Sequence, residues 1–123
     1  IENGKELEEA FSRDVYEQAL RLVARSLKSN VRLYDLVGRW IGSKFLVMLL
    51  GATLENGIKA MERVYQSVST VVVKLPENDR AEIKLKAAIT KAISKTEKPL
   101  YVLIEDLNEA INDEDDPEWM SVI

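Results

Sequence analysis

The chain has 123 residues, room for one domain around one core, with 46% apolar and 31% charged residues. A net charge of −4 argues against a broad nucleic-acid surface, and no apolar run approaches the length of a membrane span. The absence of histidine excludes a histidine base or histidine metal site, and the absence of cysteine excludes disulfides and thiol chemistry.

Val15, Ala19, Leu20, Leu22, Val23 and Leu27 recur at helical spacing and predict an amphipathic helix over 14–27. Ser12 is its N-cap, and Asn30 is expected in the left-handed position past its end. Residues 33–40 and 44–50 read as two strands joined by a short turn at Ile41-Gly42-Ser43. The second of these is almost wholly apolar, as for a strand covered on both faces. Thr53 caps a helix over 54–69, with Leu54, Ile58, Met61 and Val64/Tyr65 as its apolar stripe. A β-branched strand at 70–75, a turn at Pro76-Glu77-Asn78-Asp79 and a strand at 83–89 follow. A helix over 100–111, an acidic turn over 112–117 and a short closing strand at 119–123 complete the chain. Trp40 and Tyr65 are expected in the core. The order α-β-β-α-β-β-α-β is that of an α+β domain, an antiparallel sheet flanked by helices.

Arg39-Trp40-Ile41-Gly42-Ser43-Lys44-Phe45 resembles the hairpin of a GGDEF domain, the diguanylate cyclase fold, whose turn is written Gly-Gly-Asp/Glu-Glu-Phe. Arg32-Leu33-Tyr34-Asp35 sits where that family keeps its Arg-x-x-Asp product-binding site, with five residues between Asp35 and Ile41. Residues 1–20 align without a gap to the stretch after the family's first strand. Leu36-Val37-Gly38-Arg39-Trp40, Ala60-Met61-Glu62-Arg63 and Leu107-Asn108-Glu109-Ala110-Ile111 match later family segments in order. The resemblance therefore covers 1–123 as one degenerate GGDEF domain with a palm-like nucleotide-cyclase fold. It also implies that the central first strand precedes Ile1, so that the sequence is a piece of a longer, multidomain protein.

The resemblance implies loss of catalysis. The family's cations are held by hard oxygen ligands, two of them the acids of the turn, here Ser43 and Lys44. Ile41 replaces a glycine, while Gly42 and Phe45 keep the family letters. The guanine-reading positions fall on Glu8 and Glu17, and a phosphate-binding lysine falls on Asp115, within a run of carboxylates. No metal site, no cofactor and no cyclase activity are expected.

The retained motif implies a ligand, cyclic di-GMP, held by Arg32, Asp35 and Arg63. Arginine suits guanine O6 and N7, aspartate accepts from its N1–H and N2–H, and Arg63 suits a base face or a phosphate. The expected function is a receptor that signals to a flanking regulatory or output domain, or to a partner protein. The setting is cytoplasmic, free or as the cytoplasmic part of a membrane protein, with no nucleic-acid partner and no membrane insertion by this segment. A ligand-free dimerisation or scaffold domain, working as a homodimer or by capturing a partner through its helices, and a domain that binds GTP without turnover are the alternatives. In the bland reading, Arg32 and Asp35 form a surface ion pair, and Arg63 pairs with Glu62 or Glu55.

Overall fold

A computed structural model describes residues 1–70, 73–75, 80–92 and 98–123. The turn expected at 76–79 and part of the strand expected at 70–75 lie outside the described residues.

The two long helices start where a side-chain oxygen can satisfy an orphan amide. In α2 (Arg13–Asn30), Ser12 Oγ accepts from the Val15 N–H at 3.2 Å. In α3 (Leu54–Ser69), Thr53 Oγ1 accepts from the Asn56 N–H at 3.1 Å. Asn30 does not take the left-handed position: it is the last residue of α2, and its amide donates to Ser26 O at 2.7 Å. That bond, one helical turn back, satisfies the side chain inside the helix, and the chain leaves extended at Val31.

Val15, Ala19, Leu20, Val23 and Leu27 are buried along α2, as expected. On α3 the buried stripe is Gly57, Ala60, Val64 and Val68, rotated from the expected one. Small residues face inward because neighbouring side chains come close: a Cβ on Gly57 would meet Ile89 Cδ1 at 3.0 Å and Leu49 Cδ1 at 3.4 Å. The core joins the two helices to Leu7, Val73, Leu75, Ala81 and Ile83. Each fully buried Val or Leu contributes about 1.5–3 kcal/mol relative to exposure.

A short helix, α1 (Gly4–Ala10), precedes α2 and was not expected from periodicity. Only Gly4 and Leu7 are buried in it, so a single apolar side chain anchors it.

Strand β1 (Leu36–Arg39) pairs antiparallel with β2 (Phe45–Met48), Leu36 opposite Met48 and Arg39 opposite Phe45. β1 begins later than expected because residues 32–35 form a turn closed by the Asp35 N–H on Arg32 O at 3.0 Å. β2 is half-buried from Phe45 to Val47 and exposed at Met48, less covered than its composition suggests. β3 (Val73–Lys74) pairs antiparallel with β4 (Arg80–Ala81).

The strand expected at 83–89 survives only as β5 (Ala87–Ile89). Residues 82–84 bond instead to Glu2 and to the amide side chain of Asn3. β5 runs parallel to β6 (Met120–Val122), with α4 (Leu100–Ile111) as the crossover that a parallel pair requires. The α+β class holds, while the described strands form three two-stranded sheets, one of them parallel.

Neither expected core aromatic is buried. Trp40 is 44% exposed at the turn end of the hairpin, where its backbone N–H donates to Lys44 O at 2.9 Å. Tyr65 is 36% exposed, beside the buried stripe of α3, where its ring stacks on Trp119 with centroids 4.2 Å apart. Among the described residues, no helix is long and apolar enough to cross a membrane.

Candidate functional site

Between the end of α2 and the start of β1, the loop is shaped by one carboxylate. Asp35 Oδ2 accepts from the Arg32 N–H at 2.8 Å, and Oδ1 accepts from the Leu50 N–H at 2.9 Å. Asp35 thus closes its own turn and ties it to Leu50, two residues past β2. Both oxygens keep further lone-pair capacity for an incoming N–H.

No side-chain ion pair joins Arg32 to Asp35 among the described contacts. The Arg32 guanidinium donates from NH1 to the Tyr34 hydroxyl at 2.7 Å, and its carbon lies 5.9 Å from the Tyr34 ring centroid. That hydrogen bond, more than the Asp35 charge, pushes the Arg32 pKa up. Arg63, one turn past Ala60 on α3, donates to Asn30 O at 3.3 Å. It pairs with neither Glu62 nor Glu55 among the described contacts, and Glu55 is taken by Lys59 at 3.3 Å.

Arg32, Asp35 and Arg63 line one shallow groove of about 240 Å³, with Asn56 and Lys59 on the α3 wall and Leu49 among its apolar lining. Asn56 and Lys59 were not singled out from the sequence, although they precede Arg63 at helical spacing. The groove combines three cationic side chains, Arg32, Lys59 and Arg63, with one carboxylate and the two amides of Asn30 and Asn56. That set suits an anionic ligand with a hydrogen-bonding edge.

At the hairpin turn, Gly42 takes φ 64°, and its carbonyl accepts from Arg39 at 2.7 Å. Ser43 Oγ donates to Ile1 O at 3.0 Å. The Lys44 ammonium donates to Asn108 Oδ1 on α4 at 2.7 Å. Ile41 is exposed, and Phe45 lies under the Arg39 guanidinium at 5.6 Å. Arg13 bridges Glu8 at 3.2 Å and Glu17 at 3.4 Å. Asp115 lies in the acidic turn, its N–H on Asp113 Oδ1 at 3.0 Å. In the same turn Asp116 accepts from the Glu118 N–H and the Ser121 hydroxyl, which hold its carboxyl below the usual range.

A second, larger groove of about 410 Å³ has the stacked Tyr65 and Trp119 in its lining, with Glu82, Lys84 and Glu118. Sequence reasoning did not single it out, since the signal is a pairing of aromatics distant in the chain.

Capped helices packed around a β-hairpin make this an α+β domain. Residues 1–115 match the family model "Diguanylate cyclase, GGDEF domain", and the chain belongs to that family. The probable diguanylate cyclase DgcC of Escherichia coli is 27% identical over 89 residues, which are 72% of this chain and 24% of DgcC. The response regulator PleD of Caulobacter vibrioides is 34% identical over 69 residues, 56% of this chain and 15% of PleD. The chain thus spans a quarter or less of these curated relatives. The crystal structure of the diguanylate cyclase SiaD in complex with its activator SiaC, from Pseudomonas aeruginosa, matches with a TM-score of 0.84. It covers 98% of this chain and 45% of that one at 23% identity, a likeness of fold.

Proposed function

We propose that this GGDEF domain is a cyclic di-GMP receptor without cyclase activity, and that it reports binding to a flanking domain or a partner protein. The observation that carries the reading is the convergence of Arg32, Asp35 and Arg63 on one groove, although 31 positions separate Arg32 from Arg63 in sequence. Arg32 supplies donors for guanine O6 and N7, and Asp35 accepts from its N1–H and N2–H. Arg63 and Lys59 supply positive charge for a phosphate. The groove is smaller than the roughly 300–1,000 Å³ of a drug-sized pocket, so it seats one guanine and its phosphate and leaves the rest of the ligand outside.

Loss of catalysis follows from the hairpin turn. A divalent cation needs hard oxygen ligands, and Lys44 brings an ammonium to the turn instead. Cation and ammonium repel, and a serine hydroxyl is a weak substitute for a carboxylate. The residues present do not fit the family's metal. At the guanine-reading positions, Glu8 and Glu17 are both engaged by Arg13, which weighs against GTP binding without turnover.

The test is calorimetric titration of cyclic di-GMP into the intact protein, beside Arg32→Ala, with product formation from GTP and Mg²⁺ or Mn²⁺ as the second assay. Saturable binding lost in the variant, with no product, supports the reading. Turnover of GTP overturns the loss of catalysis.

The second reading, a dimerisation or scaffold domain, draws on α4. That helix has no fully buried residue and leaves Leu100 and Tyr101 exposed. An association with a protein, as SiaD has with its activator SiaC, fits either reading. A cytoplasmic setting is proposed with both.

A further inference from the structure

Resting on the receptor reading, we infer that Tyr34 is a positioning residue of the ligand site, holding the Arg32 guanidinium at the groove. Tyr34 does not itself line the groove; it reaches the site only through Arg32. Its hydroxyl accepts from Arg32 NH1 at 2.7 Å, and its ring lies 5.9 Å from the guanidinium carbon. Both residues are exposed, and among the described contacts Tyr34 is the hydrogen-bond partner of the guanidinium.

The geometry leaves the working edge free. A guanidinium has five N–H donors, and one proton of NH1 goes to Tyr34. Nε–H and NH2 remain for a two-point contact with guanine O6 and N7. A freely rotating arginine loses its rotamer freedom when the ligand binds, and one already held loses less. The backbone of the same arginine is fixed by Asp35 Oδ2, so turn and side chain are held by separate contacts. Tyr34 thereby sets affinity without touching the ligand.

Tyr34→Phe keeps the ring and deletes the acceptor. In the free protein, ¹⁵N relaxation of the Arg32 Nε–Hε group should show an ordered side chain in wild type and a mobile one in Tyr34→Phe, at unchanged melting temperature. Cyclic di-GMP affinity should fall about three- to tenfold. In an Arg32→Lys background, the same change should have no further effect. Equal Arg32 mobility in both proteins overturns the inference, as does unchanged affinity or an equal loss in the Arg32→Lys background. If wild type binds no cyclic di-GMP, the receptor reading fails, and the relaxation comparison alone decides whether Tyr34 holds Arg32.

Discussion

Asp35 holds the backbone amide of Leu50 at 2.9 Å, joining the loop before β1 to the second residue after β2 across the open end of the hairpin. The same carboxylate holds the Arg32 amide at 2.8 Å. The aspartate of the motif is therefore part of the fold as well as a candidate ligand contact.

Asp35→Ala removes the acceptor of two backbone donors. Each such bond contributes roughly 0.5–1.5 kcal/mol net, and water replaces part of that at an exposed site, so the expected loss is about 1–2 kcal/mol. Urea unfolding should show a lower midpoint for Asp35→Ala, whereas Arg32→Ala, which loses only exposed side-chain contacts, should unfold near wild type. A loss of ligand in Asp35→Ala alone thus reports loop collapse as readily as a missing contact.

Two glycines separate conformational strain from crowding. Gly42→Ala meets no atom within 4 Å, and its cost is the left-handed backbone at φ 64°, about 1–2 kcal/mol. In Gly4→Ala the new Cβ lies 2.8 Å from the Cβ of Ser43, so α1 or the hairpin turn must move. Thermal unfolding should rank Gly4→Ala as the more damaging, and Ser43→Gly should relieve it without relieving Gly42→Ala.

Lys44→Met keeps much of the side-chain volume and deletes the ammonium that meets Asn108. Both ends of that contact are half-buried, so the expected destabilisation is about 1 kcal/mol by chemical denaturation. Lys44→Met/Asn108→Leu, which removes the stranded amide, should recover part of it.

The Asp116 carboxyl is held below its ordinary range by the Glu118 amide and then by the Ser121 hydroxyl. A group depressed in the folded state adds stability above its unfolded pKa, and that contribution is lost as pH falls through the folded value. Asp116→Asn should therefore flatten the acid limb of the stability curve, with wild type and variant converging at the lowest pH. Ser121→Ala should move the limb in the same direction by less.

What was legible in the sequence followed the strength of local chemistry. Ser12 and Thr53 each announce a helix start because the capping oxygen and its amide lie three residues apart. Nothing local marks α1, which begins at a glycine and buries one apolar side chain. Residues 82–84 have a strand's composition, yet their partner is the Asn3 side chain, a contact 79 positions away. Apolarity placed Trp40 and Tyr65 inside, but only tertiary packing decides which aromatic is covered, and Tyr65 stays at the surface stacked on Trp119. Asn30 ends α2 inside the helix because its amide found Ser26 O. At the groove, the order of Arg32, Asp35 and Arg63 was readable, and Lys59 one turn before Arg63 could have been read with them, while the role of Tyr34 depends on a side-chain contact that no spacing encodes.

The most direct measurement is titration of cyclic di-GMP into the intact protein, wild type beside Arg32→Ala. Saturable binding that is lost in a variant of wild-type unfolding midpoint is the predicted result. A well-folded wild type that binds no cyclic di-GMP would contradict the receptor account and leave the groove's charges as surface features.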